Sequence, residues 1–421
     1  MFLFVSYGLK LKILVNKDYS MVVGTLAFMA LVIFLGVFGE FVFSKTKVPD
    51  ALWLIAIGFI AGPVLGLVAQ SQLWAIAPLF SAIALMVIMF EGGLHLNIYD
   101  VIKSAPTSIL LAVVGFLLNV AIIAVLLEGL GAFGYIPNWG LTNSILLGSI
   151  LGGSSSLVVL PLVRQAKLRD RVSNILTLES SITDVLAVVI TITIIHFVLA
   201  PEKGIQGIMH AIAGNFSIGA VLGVLVGIAW IYVLEFFKNR ERLYTHNYML
   251  TFACLLLLYA FTQFVEGSAA IAALTFGIVL GNSTQLQNML KLKTKIKLDK
   301  KVMEFNSQVS FFVKTFFFAL IGLMFVVDMS LMLASFLIVI GILVARPLAV
   351  KLGTFREKFS KKEADLVNGL IPRGLAAAVL AILPASMGVP GTESFSAIVF
   401  SVVIATIAIT TGIVYFRLKQ N

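Results

Sequence analysis

TLESSITDVLAVVITI, residues 177–192, sets two acids inside a run otherwise made of apolar and hydroxyl side chains. The surrounding segment, about 172–199, is long enough to cross a bilayer as one helix. Glu179 and Asp184 are five residues apart, about 500° around a helix, so they point roughly 140° away from each other. They cannot form a carboxylate dyad on one face. One can hold a structural ion pair while the other faces a path. Asp184 lies about 13 residues from the cytoplasmic end of the segment, near the bilayer midplane. Ser180 stands one turn before it and Thr183 beside it. A carboxylate flanked by hydroxyls is a hard-oxygen cage for a partly dehydrated Na+ or K+, or for a proton in its place. Ionisable groups at that depth are costly and mark ion or proton pathways.

The rest of the chain has the same character. Of 421 residues, 60% are hydrophobic and 12% charged, against about 25% charged in a soluble domain. That excludes a soluble enzyme, and the absence of ten-residue alternation excludes a transmembrane β-barrel. The single cysteine, Cys254, lies in an apolar run, so neither a disulfide framework nor a cysteine metal site is expected. Hydropathy predicts an all-α polytopic membrane protein of about thirteen spans: 21–43, 51–69, 74–92, 105–129, 141–163, 172–199, 206–237, 245–265, 268–282, 305–326, 330–353, 364–386 and 394–416. Residues 1–20 form a tail too short in apolar content to span and without a signal-peptide cleavage site, and Met21 is an alternative start. No loop is long enough for a soluble domain, and no glycine-rich nucleotide-binding unit follows the last span.

Alternate loops carry 23 of the 30 Lys and Arg residues. The opposite side holds Lys203 and the tail residues Lys10, Lys12 and Lys17. The positive-inside rule then places the N-terminus outside and the C-terminal tail, 417–421, in the cytoplasm of a cell whose plasma membrane holds the protein. The net charge of +10 is a topology signal and gives no reason to expect nucleic acid. The run KLKTKIKLDKK (291–301) is expected to lie solvated at the membrane surface, with anionic lipid heads as a secondary partner. Three cations remain inside spans: Lys314, Arg346 and Arg373.

Two spans carry breakers. The fifth reads SILLGSILGGSSSLVVLPLV (144–163), with Gly152, Gly153, Ser154, Ser155 and Ser156 in series before Pro161. The twelfth reads NGLIPRGLAAAVLAILP (368–384), interrupted at Pro372, Arg373 and Gly374. They run in opposite directions, and paired interrupted helices of that kind point to inverted repeats with a site where they cross. Lys314 sits among phenylalanines in VSFFVKTFFFALIG (309–322) and Arg346 in ILVARPLAV (342–350). Glu179 needs one of them as a partner, and spacing does not choose between the two.

With these residues in hand, the chain resembles the monovalent cation/proton antiporter superfamily, specifically its NhaP-like sodium/proton exchangers. VPDALWLIAIGFIAGP (48–63), FEGGL (90–94), LESSITD (178–184), ARPL (345–348) and PRG (372–374) resemble successive family motifs in order. The resemblance implies an NhaA/NhaP-like fold and a homodimer. A core of helices about 105–199 and 330–416 would move like an elevator against dimerisation helices about 21–92 and 206–326. It also implies that Glu179 pairs with Arg346 and that Asp184 carries the ion or proton. Ser180 and Ser154 would complete the cation site, with Thr183 and Ser155 alongside. Thr183 stands where the family usually has Asn or Asp. The triplet Ser154, Ser155, Ser156 resembles the S-S-T of potassium-efflux antiporters more than the T-D-P of many exchangers.

The expected activity is exchange of a monovalent cation for H+ by alternating access, the two competing for Asp184. Na+ is the first candidate, with Li+ or K+ possible cargo, and K+/H+ exchange of the efflux type is the alternative. Exchange is expected to be one for one and electroneutral, unless Lys314 releases a proton in each cycle. A cation channel is a second class of reading, in which the same charges and broken helices line a pore. An enzyme is not expected, because His95, His196, His210 and His246 are scattered with no i,i+4 pair. Neither a cofactor nor a resident metal is implied.

Overall fold

A computed structural model describes residues 29–39, 41, 49–66, 70–96, 98–135, 139–166, 168–199, 204–238, 247–289, 300–326, 328–355 and 357–419. The tail 1–20, Lys203, His246 and residues 291–299 of the lysine-rich connector lie outside them.

The described residues form sixteen α-helices and no strands. They are α1 (Met29–Gly39), α2 (Asp50–Phe59), α3 (Gln70–His95), α4 (Ile98–Ala132), α5 (Leu141–Ile150), α6 (Ser156–Ala166), α7 (Asp170–Leu199) and α8 (Gly204–Lys238). There follow α9 (Asn247–Phe264), α10 (Ala269–Gly281), α11 (Ser283–Met289), α12 (Lys300–Leu323), α13 (Met329–Gly353), α14 (Lys361–Gly369), α15 (Leu375–Ser386) and α16 (Phe395–Lys419). Eight are long and apolar enough to cross a membrane, and five shorter apolar helices accompany them. Every expected span falls on a helix. The fifth is divided into α5 and α6 and the twelfth into α14 and α15, while α11 is a short connector. A π turn, Ile60–Val64, carries α2 past Pro63, whose ring and missing N–H disfavour a regular turn.

In lipid, helices gain little from hiding apolar faces from one another, so association depends on close packing at small residues. Two groups result. In the first, α10 packs between α3 and α8, and α12 against α2 and α3. Glycine is required where backbones touch: a Cβ on Gly277 would lie 2.4 Å from the Phe90 carbonyl oxygen, and one on Gly58 2.1 Å from that of Ala319. In the second group, α4 packs against α13, α5 and α7, and α16 against α13 and α15. The groups meet chiefly through α15 on α3, with smaller contacts of α15 on α12, α16 on α2 and α7 on α8.

Charged clamps outside the apolar zone close the ends of the second group. Ser360 opens α14 with a capping box to Glu363. Glu363 also accepts from Arg169, just before α7, and Glu357 accepts from Arg171 Nε at 2.9 Å. The Arg169 guanidinium holds the Glu363 carboxyl down at about 2.

Candidate functional site

The site is built on the two breaks. Chain 151–155 separates α5 from α6, and chain 370–374 separates α14 from α15. Both are buried, so their free peptide groups need partners from neighbouring helices. The breaks first bond each other. Ser155 N–H donates to the Pro372 carbonyl at 2.8 Å, and Arg373 Nε donates to the Leu151 carbonyl at 2.7 Å. Gly374 permits this approach, because a Cβ there would stand 2.1 Å from Ser155 Oγ. Arg373 places its positive charge at the C-terminal end of α5, where the carbonyl dipoles are negative.

The outer partners are related by an inverted-repeat pattern. On the first break, Asn119 of α4 donates through Nδ2 to the Gly152 carbonyl at 3.1 Å, and Thr183 of α7 accepts from Ser154 N–H at 3.1 Å. On the second, Arg346 of α13 donates through Nε to the Val367 carbonyl at 2.9 Å. There Thr406 of α16 accepts from Arg373 N–H at 3.0 Å and Thr410 from Ile371 N–H at 3.3 Å. The helix before each broken pair and the helix after it thus play matching roles.

Glu179 and Asp184 leave α7 in different directions, as their spacing requires. Glu179, 3% exposed, takes both terminal nitrogens of Arg346, with Nη2 on Oε2 at 2.9 Å. This bidentate pair ties α7 to α13, and Arg346 in turn reaches the last turn of α14. Asp184 turns to the start of α6. Its Oδ2 accepts from Ser156 N–H at 3.1 Å and from Ser156 Oγ at 2.6 Å. The carboxylate therefore sits at the positive end of a half-helix, which favours a negative charge.

Of the expected site residues, the structure gathers Asp184, Thr183, Ser154, Ser155, Glu179, Arg346 and Arg373 around the crossing. The Thr183 hydroxyl accepts from Ser154 N–H of the first break and donates to the Ser180 carbonyl of its own helix, while Ser155 bonds the second break through its backbone N–H. Ser180 is fully buried and bonds the Thr177 carbonyl of its own helix at 3.0 Å. Lys314 is not brought in. Its Nζ lies 2.8 Å from Asp50 at the start of α2, with the Phe311 ring centroid 5.5 Å away. A lysine among phenylalanines needs the nearest acid, and α12 packs on α2. Sequence reasoning passed over Ser156 as a partner and missed Asn119, Thr406, Thr410 and Asp50. A lone amide in α4 and two threonines four apart in α16 were the available signals.

A bundle of apolar helices in which two interrupted helices cross at buried charges has the architecture of a secondary transporter. The chain belongs to the transmembrane sodium/hydrogen exchanger family, whose model matches residues 29–417. It is 26% identical over 381 residues to the K(+)/H(+) antiporter NhaP2 of Shewanella sp. (strain ANA-3), covering 87% of this chain and 61% of that protein. To the K(+)/H(+) antiporter NhaP of Alkalimonas amylolytica it is 25% identical over 371 residues, covering 86% and 61%. The chain thus spans about three fifths of the length of these relatives. The fold matches that of the sodium proton antiporter MjNhaP1 from Methanocaldococcus jannaschii at pH 8. The TM-score is 0.74 and the identity 20%, over 95% of this chain and 99% of the other. The protein is therefore a multi-pass membrane protein with the NhaP antiporter fold.

Proposed function

We propose that this chain is a secondary active antiporter that exchanges a monovalent cation for H+, with Asp184 as the shared carrier. The observation that carries the reading is the placement of Asp184 at the crossing, held on one oxygen by Ser156. Among the described residues no hydrogen bond reaches the other oxygen, Oδ1. A proton there neutralises the carboxylate. A cation there takes the same lone pairs, and Ser156 Oγ can turn from donor to ligand. Both ligands need the same oxygens, so they compete, and the neutralised core moves while the charged one stays. Arg373, Ser154, Ser155, Thr183 and Ser180 shape the break around the carrier, and Glu179–Arg346 holds its frame.

Na+ is the first candidate cargo, in keeping with the family. The relatives named as K+/H+ antiporters, together with a serine triplet that lacks an acid at Ser155, favour K+ as the second. Li+ belongs in the same panel. With Lys314 engaged by Asp50, one-for-one electroneutral exchange follows. The protein is not an enzyme in this reading and works as a homodimer in the plasma membrane, N-terminus outside and C-terminus cytoplasmic. The group containing α4–α7 and α13–α16 moves against the group containing α2, α3, α8–α10 and α12. The test is the purified protein in vesicles with Na+, Li+ and K+ in turn. Cation-dependent proton efflux supports the reading; cation flux without opposing proton movement would instead indicate a channel.

A further inference from the structure

Beside the first break lies a buried polar cavity of about 10 Å³. Its wall includes Gly115, Asn119, Ser154, Glu179, Thr183 and Arg373. Two polar atoms of these lining residues are buried with no hydrogen-bond partner among the described residues: Asn119 Oδ1 and Arg373 Nη2. One is an acceptor and the other a charged donor, and Arg373 is only 2% exposed. The amide orientation of Asn119 is fixed by its other contacts. Its Nδ2 meets two carbonyls, Gly115 at 2.8 Å and Gly152 at 3.1 Å, and a flipped amide would set oxygen against oxygen. The free oxygen is therefore a true acceptor. A charged donor left unpaired at this depth is costly, and a cavity of this size holds one water when it offers two to four polar partners.

We propose that the cavity is a binding site for a single water molecule, held between Arg373 Nη2 and Asn119 Oδ1. Asn119 is then a positioning residue that fixes Arg373 and the first break from α4. The water accepts from the guanidinium and donates to the amide oxygen, and Glu179 and the hydroxyls of Thr183 and Ser154 offer further partners. Arg373 already caps the Leu151 carbonyl, so the water completes a link from α4 across both breaks. Asp184 is held by Ser156, the first residue after the first break.

The inference uses the transport reading only for one of its two readouts. A structure of the wild-type protein at a resolution that shows waters is expected to place one within hydrogen-bonding distance of both atoms. A dry cavity, or the Asn119 amide resting directly on the guanidinium, overturns the proposal even if exchange is never detected. The second readout is Gly115→Ala. A Cβ on Gly115 would meet only Ala349 Cβ at 3.5 Å, an ordinary contact, while crowding the wall that Gly115 and Ala349 share. The water should be lost and turnover should fall roughly tenfold, as for one buried charged donor left unpaired, with the cation KM little changed. Wild-type turnover in folded Gly115→Ala protein contradicts the proposal.

Discussion

Ser156 meets Asp184 twice, and both bonds end on the same oxygen, Oδ2, at 3.1 Å from the backbone nitrogen and 2.6 Å from the hydroxyl. The backbone bond is a helix N-terminus greeting an anion and survives any side-chain change. The hydroxyl bond does not. Ser156→Ala should leave the fold intact and weaken apparent cation affinity by roughly tenfold, the scale of one hydrogen bond to a charged group. The KM for each cation in reconstituted vesicles checks this, with Ser156→Thr expected to recover most of the loss.

The Glu179–Arg346 pair is buried, bidentate and shared between α7 and α13. Removing one partner leaves the other charged and unpaired in the apolar zone, at a cost of about 3–5 kcal/mol. Glu179→Ala and Arg346→Ala should each lower the thermal unfolding temperature sharply in detergent. The double variant should be less destabilised than the sum of the singles, because neither charge is left alone.

Glu363 makes a pH prediction outside the apolar zone. Its folded carboxyl is depressed from an ordinary value of 4.5 to about 2, chiefly by the hydrogen bond from Arg169. A depressed acid stabilises the fold above its unfolded pKa and loses that contribution as pH falls towards its folded one. Glu363→Gln should therefore be less stable than wild type across the neutral range. The gap should narrow as pH falls from about 4.5 towards about 2. Thermal unfolding of both proteins over that range provides the measurement.

Lys314 is paired with Asp50 on the other helix group, and in the proposed cycle it carries no proton. An imposed membrane potential should leave the steady-state cation gradient across vesicles unchanged. Lys314→Met should lower stability and leave the cation-to-proton ratio as it is. A gradient that follows the potential, and ceases to do so in Lys314→Met, would assign the lysine a proton in each turnover.

The frame of this protein was legible because each part has a strong periodic or compositional cause. Twenty-residue apolar runs gave the spans, Gly-Gly-Ser-Ser-Ser and Pro-Arg-Gly gave the breaks, and a five-residue separation set Glu179 and Asp184 on different faces. Partner choice was less legible. Arg346 and Lys314 were equivalent as partners for Glu179 until helix packing put Asp50 beside the lysine. Ser154, Ser155 and Ser156 are one residue apart, and in an unwound segment no helical period says which side chain faces the carboxylate. Asn119 and Thr406 act on backbone groups that exist as free donors and acceptors only once the helices break, so their purpose appears only with the fold.

Asp184→Asn bears most directly on the central claim. The amide keeps the size and shape of the side chain but can neither take up a proton nor neutralise a cation. In vesicles carrying the purified variant, with Na+, Li+ and K+ each applied across a pH gradient, cation-dependent proton flux should fall to the level of empty vesicles at every pH. Cation-dependent proton flux retained at a substantial fraction of wild type would show that the exchanged ions do not share Asp184.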